Sequence, residues 1–183
     1  MLSDETAYHR YLDGEEDAAA LLVERYGDRL TLYINGYLHD IHEAEDLMLE
    51  AFSLLFVKAR PIRGPGGFRA YLFQTARRLA LRHSRRRLPL LTFDDADFDL
   101  PDDVQLEDEL LRTERSRQLY RALEQLKPEY REALFLTCLE GLSYREAAAV
   151  MGKKEQQITN LVHRGKQSLK TILERDGFTY ANE

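Results

Sequence analysis

Two side-chain amides, Gln157 and Asn160, lie three residues apart in a stretch that also carries Arg145, Lys154, Thr159, His163, Arg164, Lys166 and Lys170. An amide both donates and accepts, so Gln or Asn can pair with a base edge at two points, while Arg and Lys neutralise phosphate. Amides and cations on one face, with no carboxylate among them, fit duplex recognition. A second set is Tyr71, Gln74, Thr75, Arg77, Arg78, Arg82, Arg85 and Arg86, with Arg63 upstream. An aromatic, an amide and a hydroxyl precede a row of arginines. Cations follow a phosphate backbone, and an aromatic face stacks on an unpaired base. A third set, Asp46, Leu49, Glu50 and Ser53, puts carboxylates beside an outward leucine. A solvated acidic stripe explains the carboxylates alone; the leucine beside them suits a protein contact.

Covalent chemistry has no comparable set. His39-x-x-His42 straddles a helix start beside Asp40 and has no matching pair for a metal. No glycine loop precedes a Lys-Ser or Lys-Thr pair, and no nucleophile stands with a base. The chain is therefore read as a non-enzyme without cofactor or metal.

The elements that must position these sets are all helical. Gly141 stops one helix, and Ser143 with Glu146 forms a capping box that starts the next. Tyr144, Ala147, Ala148 and Met151 recur at i, i+3, i+4, i+7. Gly152 makes a tight turn, and a further helix begins near Lys154 or Glu155 with Ile158, Leu161, Val162, Leu169 and Ile172 inward and Gly165 on the same face. Small, glycine, apolar, apolar at this spacing is a helix-turn-helix. Upstream, helices are predicted over about 4–12, 17–38, 41–59 and 68–87. Gly27 is placed to allow a bend in the second. The third opens on an Asp40–Glu43 capping box and turns Leu47, Met48, Ala51, Phe52, Leu55 and Phe56 inward. Pro61 to Gly67 is a loop, and the fourth helix is buried through Phe68, Leu72, Ala76, Leu79 and Ala80. Another helix is expected over about 106–126, and Pro128 suits the first turn of the next.

Charge arrives in blocks. The sum is −6, yet residues 58–87 hold 10 basic and no acidic side chains. Residues 88–111 hold 9 acidic and no basic ones, which predicts an extended acidic linker between two domains. Screening confines each field to roughly 8–10 Å, so local blocks outweigh the sum. No run of about 18 apolar residues exists to insert in a membrane. The acidic N-terminus lacks the pattern of a signal peptide, and a single cysteine, Cys138 in an apolar run, forms no internal disulfide. A cytoplasmic protein is expected.

With these pieces placed, the chain resembles a bacterial RNA polymerase sigma factor of the two-domain extracytoplasmic-function group. Glu43-Ala44-Glu45-Asp46-Leu47-Met48-Leu49-Glu50-Ala51-Phe52 resembles the family's core-binding helix. Residues 68–80, Phe68-Arg69-Ala70-Tyr71 through Leu79-Ala80, resemble its −10-reading and melting helix, and residues 126–170 the domain that reads the −35 element. The chain departs from the family in having Leu49 where Gln is usual, Tyr71 for Trp, Arg78 for Asn and Arg82 for Asp. Its recognition helix reads Gln157-Ile158-Thr159-Asn160-Leu161, two cations poorer than the family's usual Thr-Val-Lys-Ser-Arg.

The resemblance implies an all-α protein of two helical domains. Residues 1–87 would bind core polymerase and recognise and melt the −10 element, 88–111 form the acidic flexible linker, and 112–183 read the −35 element by helix-turn-helix. It implies core RNA polymerase and promoter DNA as partners, an anti-sigma protein as the partner such factors often have, and a monomer when free. Gln157 or Asn160 is then expected to contact an adenine of the −35 element. A stand-alone helix-turn-helix regulator is the competing reading, and it has no use for core polymerase.

Overall fold

The computed structural model describes residues 2–62, 67–87 and 114–177, and every regular element among them is helical. Helices α1 (Asp4–Leu12), α2 (Glu16–Leu38), α3 (Ile41–Lys58) and α4 (Gly67–Arg87) belong to one compact unit. Helices α5 (Glu114–Glu124), α6 (Pro128–Leu134), α7 (Tyr144–Met151) and α8 (Glu155–Arg175) belong to a second. Arg63 and the expected linker, residues 88–111, lie outside the described residues.

Helix α2 is the hub of the first unit, packing against α1, α3 and α4. Its Leu22, Tyr26, Leu30, Tyr33 and Ile34 are buried. Each such side chain contributes about 1.5–3 kcal/mol by leaving water. The helix assignment runs without interruption through Gly27. A Cβ there would make ordinary contact with Met48 of α3, at 3.9 Å from Sδ. Asp40 caps α3 by accepting from the Glu43 amide at 3.1 Å. On α4 the expected inward residues Phe68, Leu72, Ala76, Leu79 and Ala80 are buried, joined by Ala70 and Phe73. Phe73 meets Tyr33 edge to face, ring centroids 5.1 Å apart.

In the second unit the capping chemistry acts as the residues dictate. Glu146 N–H donates to Ser143 Oγ at 3.3 Å, and Ser143 N–H donates to Glu146 Oε2 at 2.7 Å. Gly141 and Gly152 take φ of 66° and 64°, the left-handed conformation that only glycine adopts cheaply. Leu142 N–H bonds back to the Leu136 carbonyl at 2.9 Å, closing the earlier helix. Ala147, Ala148 and Met151 are buried as expected, whereas Tyr144 is 37% exposed. On α8, Ile158, Val162 and Gly165 are buried, with Leu161, Leu169 and Ile172 half-buried.

Cys138 is exposed, against its placement in an apolar run. The cause is a π-helical turn, Phe135–Leu139, that follows α6, with Glu140 N–H donating to the Phe135 carbonyl at 3.0 Å. The wider turn shifts the register of the inward face. Cys138 and Leu139 turn outward, and Glu140 turns in.

Candidate nucleic-acid interface

The third helix presents its expected outer face. Asp46, Leu49, Glu50 and Ser53 are all exposed, Leu49 to 57%. Their inward counterparts Leu47, Ala51, Phe52 and Leu55 are buried, so the face is held rigidly. Val57, 80% exposed, stands four residues after Ser53 and seven after Glu50, hence on the same stripe. Sequence reading passed over it, although that spacing was the available signal. At the start of α3 the Glu43 carboxylate lies 3.2 Å from His83 Nε2 of α4, tying the acidic helix to the basic one.

The α4 stripe divides in two. Arg78, Arg82, Arg85 and Arg86 are exposed and, with Leu81, line a shallow concavity. Closely spaced cations on one rigid helix hold a strongly positive field for phosphate. Tyr71, Gln74, Thr75 and Arg77 are half-buried instead. Thr75 Oγ1 donates to the Tyr71 carbonyl at 2.9 Å, so that hydroxyl serves its own helix. Tyr71 keeps part of its ring outside, at the end of α4 nearest the loop.

On α8 and its approach, Arg145, Lys154, Gln157, Asn160, His163, Arg164, Lys166 and Lys170 are exposed, and Thr159 is half-buried. Lys170 Nζ lies 3.7 Å from Glu174 Oε1, and two more of these are engaged with the backbone. Thr159 Oγ1 donates to the Glu155 carbonyl at 3.2 Å. Gln157 Oε1 accepts from the Lys154 amide at 2.8 Å, satisfying a free N–H at the start of α8. Bidentate pairing with adenine needs both the oxygen and the nitrogen of the amide aimed at the base, and the cap takes one of the oxygen's two lone pairs and turns the amide toward the Lys154 backbone. Gln156 was missed by sequence reading. It is exposed, precedes Asn160 by four residues, and points out from the helix on the same side. Lys153 pins the turn, its Nζ 2.7 Å from Glu129 Oε1.

The comparisons with known proteins follow these surfaces. The Sigma-70 region 2 family matches residues 22–88, spanning the α3 and α4 faces, and Sigma-70, region 4 matches 116–169, spanning the helix-turn-helix. The RNA polymerase sigma factor CarQ of Myxococcus xanthus is 33% identical over 171 residues, covering 90% of this chain and 94% of its own. The ECF RNA polymerase sigma factor SigE of Mycolicibacterium smegmatis is 32% identical over 180 residues, covering 93% and 69%. The chain belongs to the extracytoplasmic-function sigma factors. Such a sigma factor is the promoter-specificity subunit that binds core RNA polymerase and directs initiation at −10 and −35 elements. A similar fold is seen in the solved structure of CnrH in complex with the cytosolic domain of CnrY, at TM-score 0.65 and 21% identity, covering 95% of this chain and 99% of that one. No helix among the described residues is long and apolar enough to cross a membrane.

Proposed function

We propose that the sigma factor divides its work among three helical faces. The outer face of α3, with Asp46, Leu49, Glu50, Ser53 and the added Val57, docks on a basic coiled coil of core polymerase. The α4 surface, with Tyr71, Gln74, Arg77, Arg78, Arg82, Arg85 and Arg86, holds the −10 region, Tyr71 by stacking on an unpaired base and the arginines by phosphate contact. The α8 face, with Gln156, Asn160, Lys154, Arg164 and Lys166, reads and anchors the −35 duplex. Residues 1–87 and 112–183 are the two working domains and 88–111 the acidic connection between them. The work is done in the cytoplasm and involves no covalent step by this chain.

The observation that carries the reading is the separation of charge between adjoining helices. Exposed carboxylates with two exposed apolar side chains lie on α3, and exposed arginines lie on α4, which packs against it. A nucleic-acid face alone has no need of the first, because carboxylates repel phosphate. Asp46→Arg tests the assignment. It should weaken binding to core polymerase about tenfold or more, as reversing a charge in a complementary interface does. Folding stability should move by no more than about 0.5 kcal/mol, since the position is exposed. Titration of labelled chain with purified core measures the first, and urea unfolding the second. Unchanged affinity removes α3 from the docking surface.

A further inference from the structure

The N-terminal helix α1 takes no part in the three faces, yet it touches both the end of α3 and the start of α4, by a hydrogen bond to the first and ring packing on the second. Tyr8 is buried, and its hydroxyl donates to the Arg60 carbonyl at 3.0 Å, just past the end of α3. The same ring packs on Phe68 in the first turn of α4, centroids 5.4 Å apart. Glu5 lies against Gly67, where a Cβ would come within 3.3 Å of Glu5 Cγ and closer still to the carboxylate, and where φ is +50°. Helix α1 is itself anchored on α2, because Asp4 bonds both Arg25 and the Tyr26 hydroxyl. Burial, then the neighbouring Tyr71 and Tyr11 hydroxyls, raises the Tyr8 pKa, while its bond to the Arg60 backbone opposes them. The hydroxyl therefore stays a donor at any working pH.

One turn along α1, Tyr11 makes a matching bond. Its hydroxyl donates to the Phe56 carbonyl at 3.2 Å, and its ring packs on Phe56 at 4.6 Å. Phe56 lies in the last turn of α3, whose carbonyls have no partner within the helix, so the bond serves the end of α3 alone. Tyr8 differs in touching both sides of the connection.

We propose that Tyr8 is a positioning residue for promoter opening, holding the exit of α3 at Arg60 against the first turn of α4, which carries Phe68 and Tyr71. The inference rests on the reading that α4 handles the melted −10 region. Removing the hydroxyl leaves the ring on Phe68 and frees Arg60 to move relative to Tyr71.

The test compares holoenzymes made from core polymerase and full-length wild type, Tyr8→Phe and Tyr11→Phe. Each variant loses one tyrosine-to-carbonyl hydrogen bond, so a purely structural role affects both alike. Two quantities are read: affinity for core, and permanganate reactivity of −10 thymines at saturating holoenzyme. Tyr8→Phe is expected to open about threefold to tenfold less promoter, the effect of one lost hydrogen bond. Tyr11→Phe should open as the wild type does, and all three should bind core equally. Equal opening by Tyr8→Phe and wild type, or equal losses in the two variants, overturns the positioning role alone. A wild-type holoenzyme that opens no promoter overturns the underlying reading as well.

Discussion

At the scale of single residues, the first helical turn of α8 decides which side chains are available to bases. The Gln157 oxygen accepts from Lys154 N–H, whereas Asn160 and Gln156 are exposed three residues after it and one before it. Breaking the cap to read a base would leave the Lys154 amide without that partner, costing about 0.5–1.5 kcal/mol. Asn160→Ala should therefore cost about 1–3 kcal/mol at one base pair of the −35 element and relax selectivity there. Gln157→Ala should lower the melting temperature and leave the preferred sequence unaltered. A selection of −35 sequences by each variant checks this. A changed preference in Gln157→Ala with none in Asn160→Ala would reverse the assignment. The sequence placed both amides correctly on the outer face. It did not show that one was engaged, because Gln157 at the third helical position is compatible with either role.

At the scale of elements, what the sequence made legible was local. Ser143 with Glu146, Gly141 and Gly152 act on residues within a few positions, and their caps and turns lie where the types demand. The inward stripe of α4 followed from period alone. Contacts between distant residues were not legible: His83 with Glu43 spans 40 positions and Tyr8 with Arg60 spans 52. The π-helical turn at Phe135–Leu139 was missed because one inserted residue per turn shifts the inward face without changing its composition. Gly165 shows how tightly the second unit is packed. A Cβ there would lie 3.2 Å from Leu134 Cγ and 3.3 Å from Tyr130 Cβ. Tyr130 Cβ is fixed to its backbone, and Leu134 Cγ moves only by a change of rotamer in a buried site. Gly165→Ala gains about 1 kcal/mol of helix propensity but incurs overpacking of about 1–3 kcal/mol. The melting temperature of the variant is expected to fall; a rise would mean that α6 yields easily.

At the scale of the whole molecule, a chain of net charge −6 binds DNA because its charges are segregated. The basic block at 58–87 falls on α4 and the stretch before it, while exposed carboxylates lie on α3. We propose that this segregation lets one chain join core polymerase to promoter DNA and open it. Mapping the 5′ ends of transcripts made in vitro by purified core polymerase, with and without this chain, tests it most directly. The chain is expected to direct core to discrete start sites. These should share upstream −10 and −35 sequences at a constant spacing, and Asp46→Arg should need about tenfold or more chain for the same effect. Unchanged start sites in the presence of the chain, together with sequence-selective protection of duplex DNA by the chain alone, would contradict it.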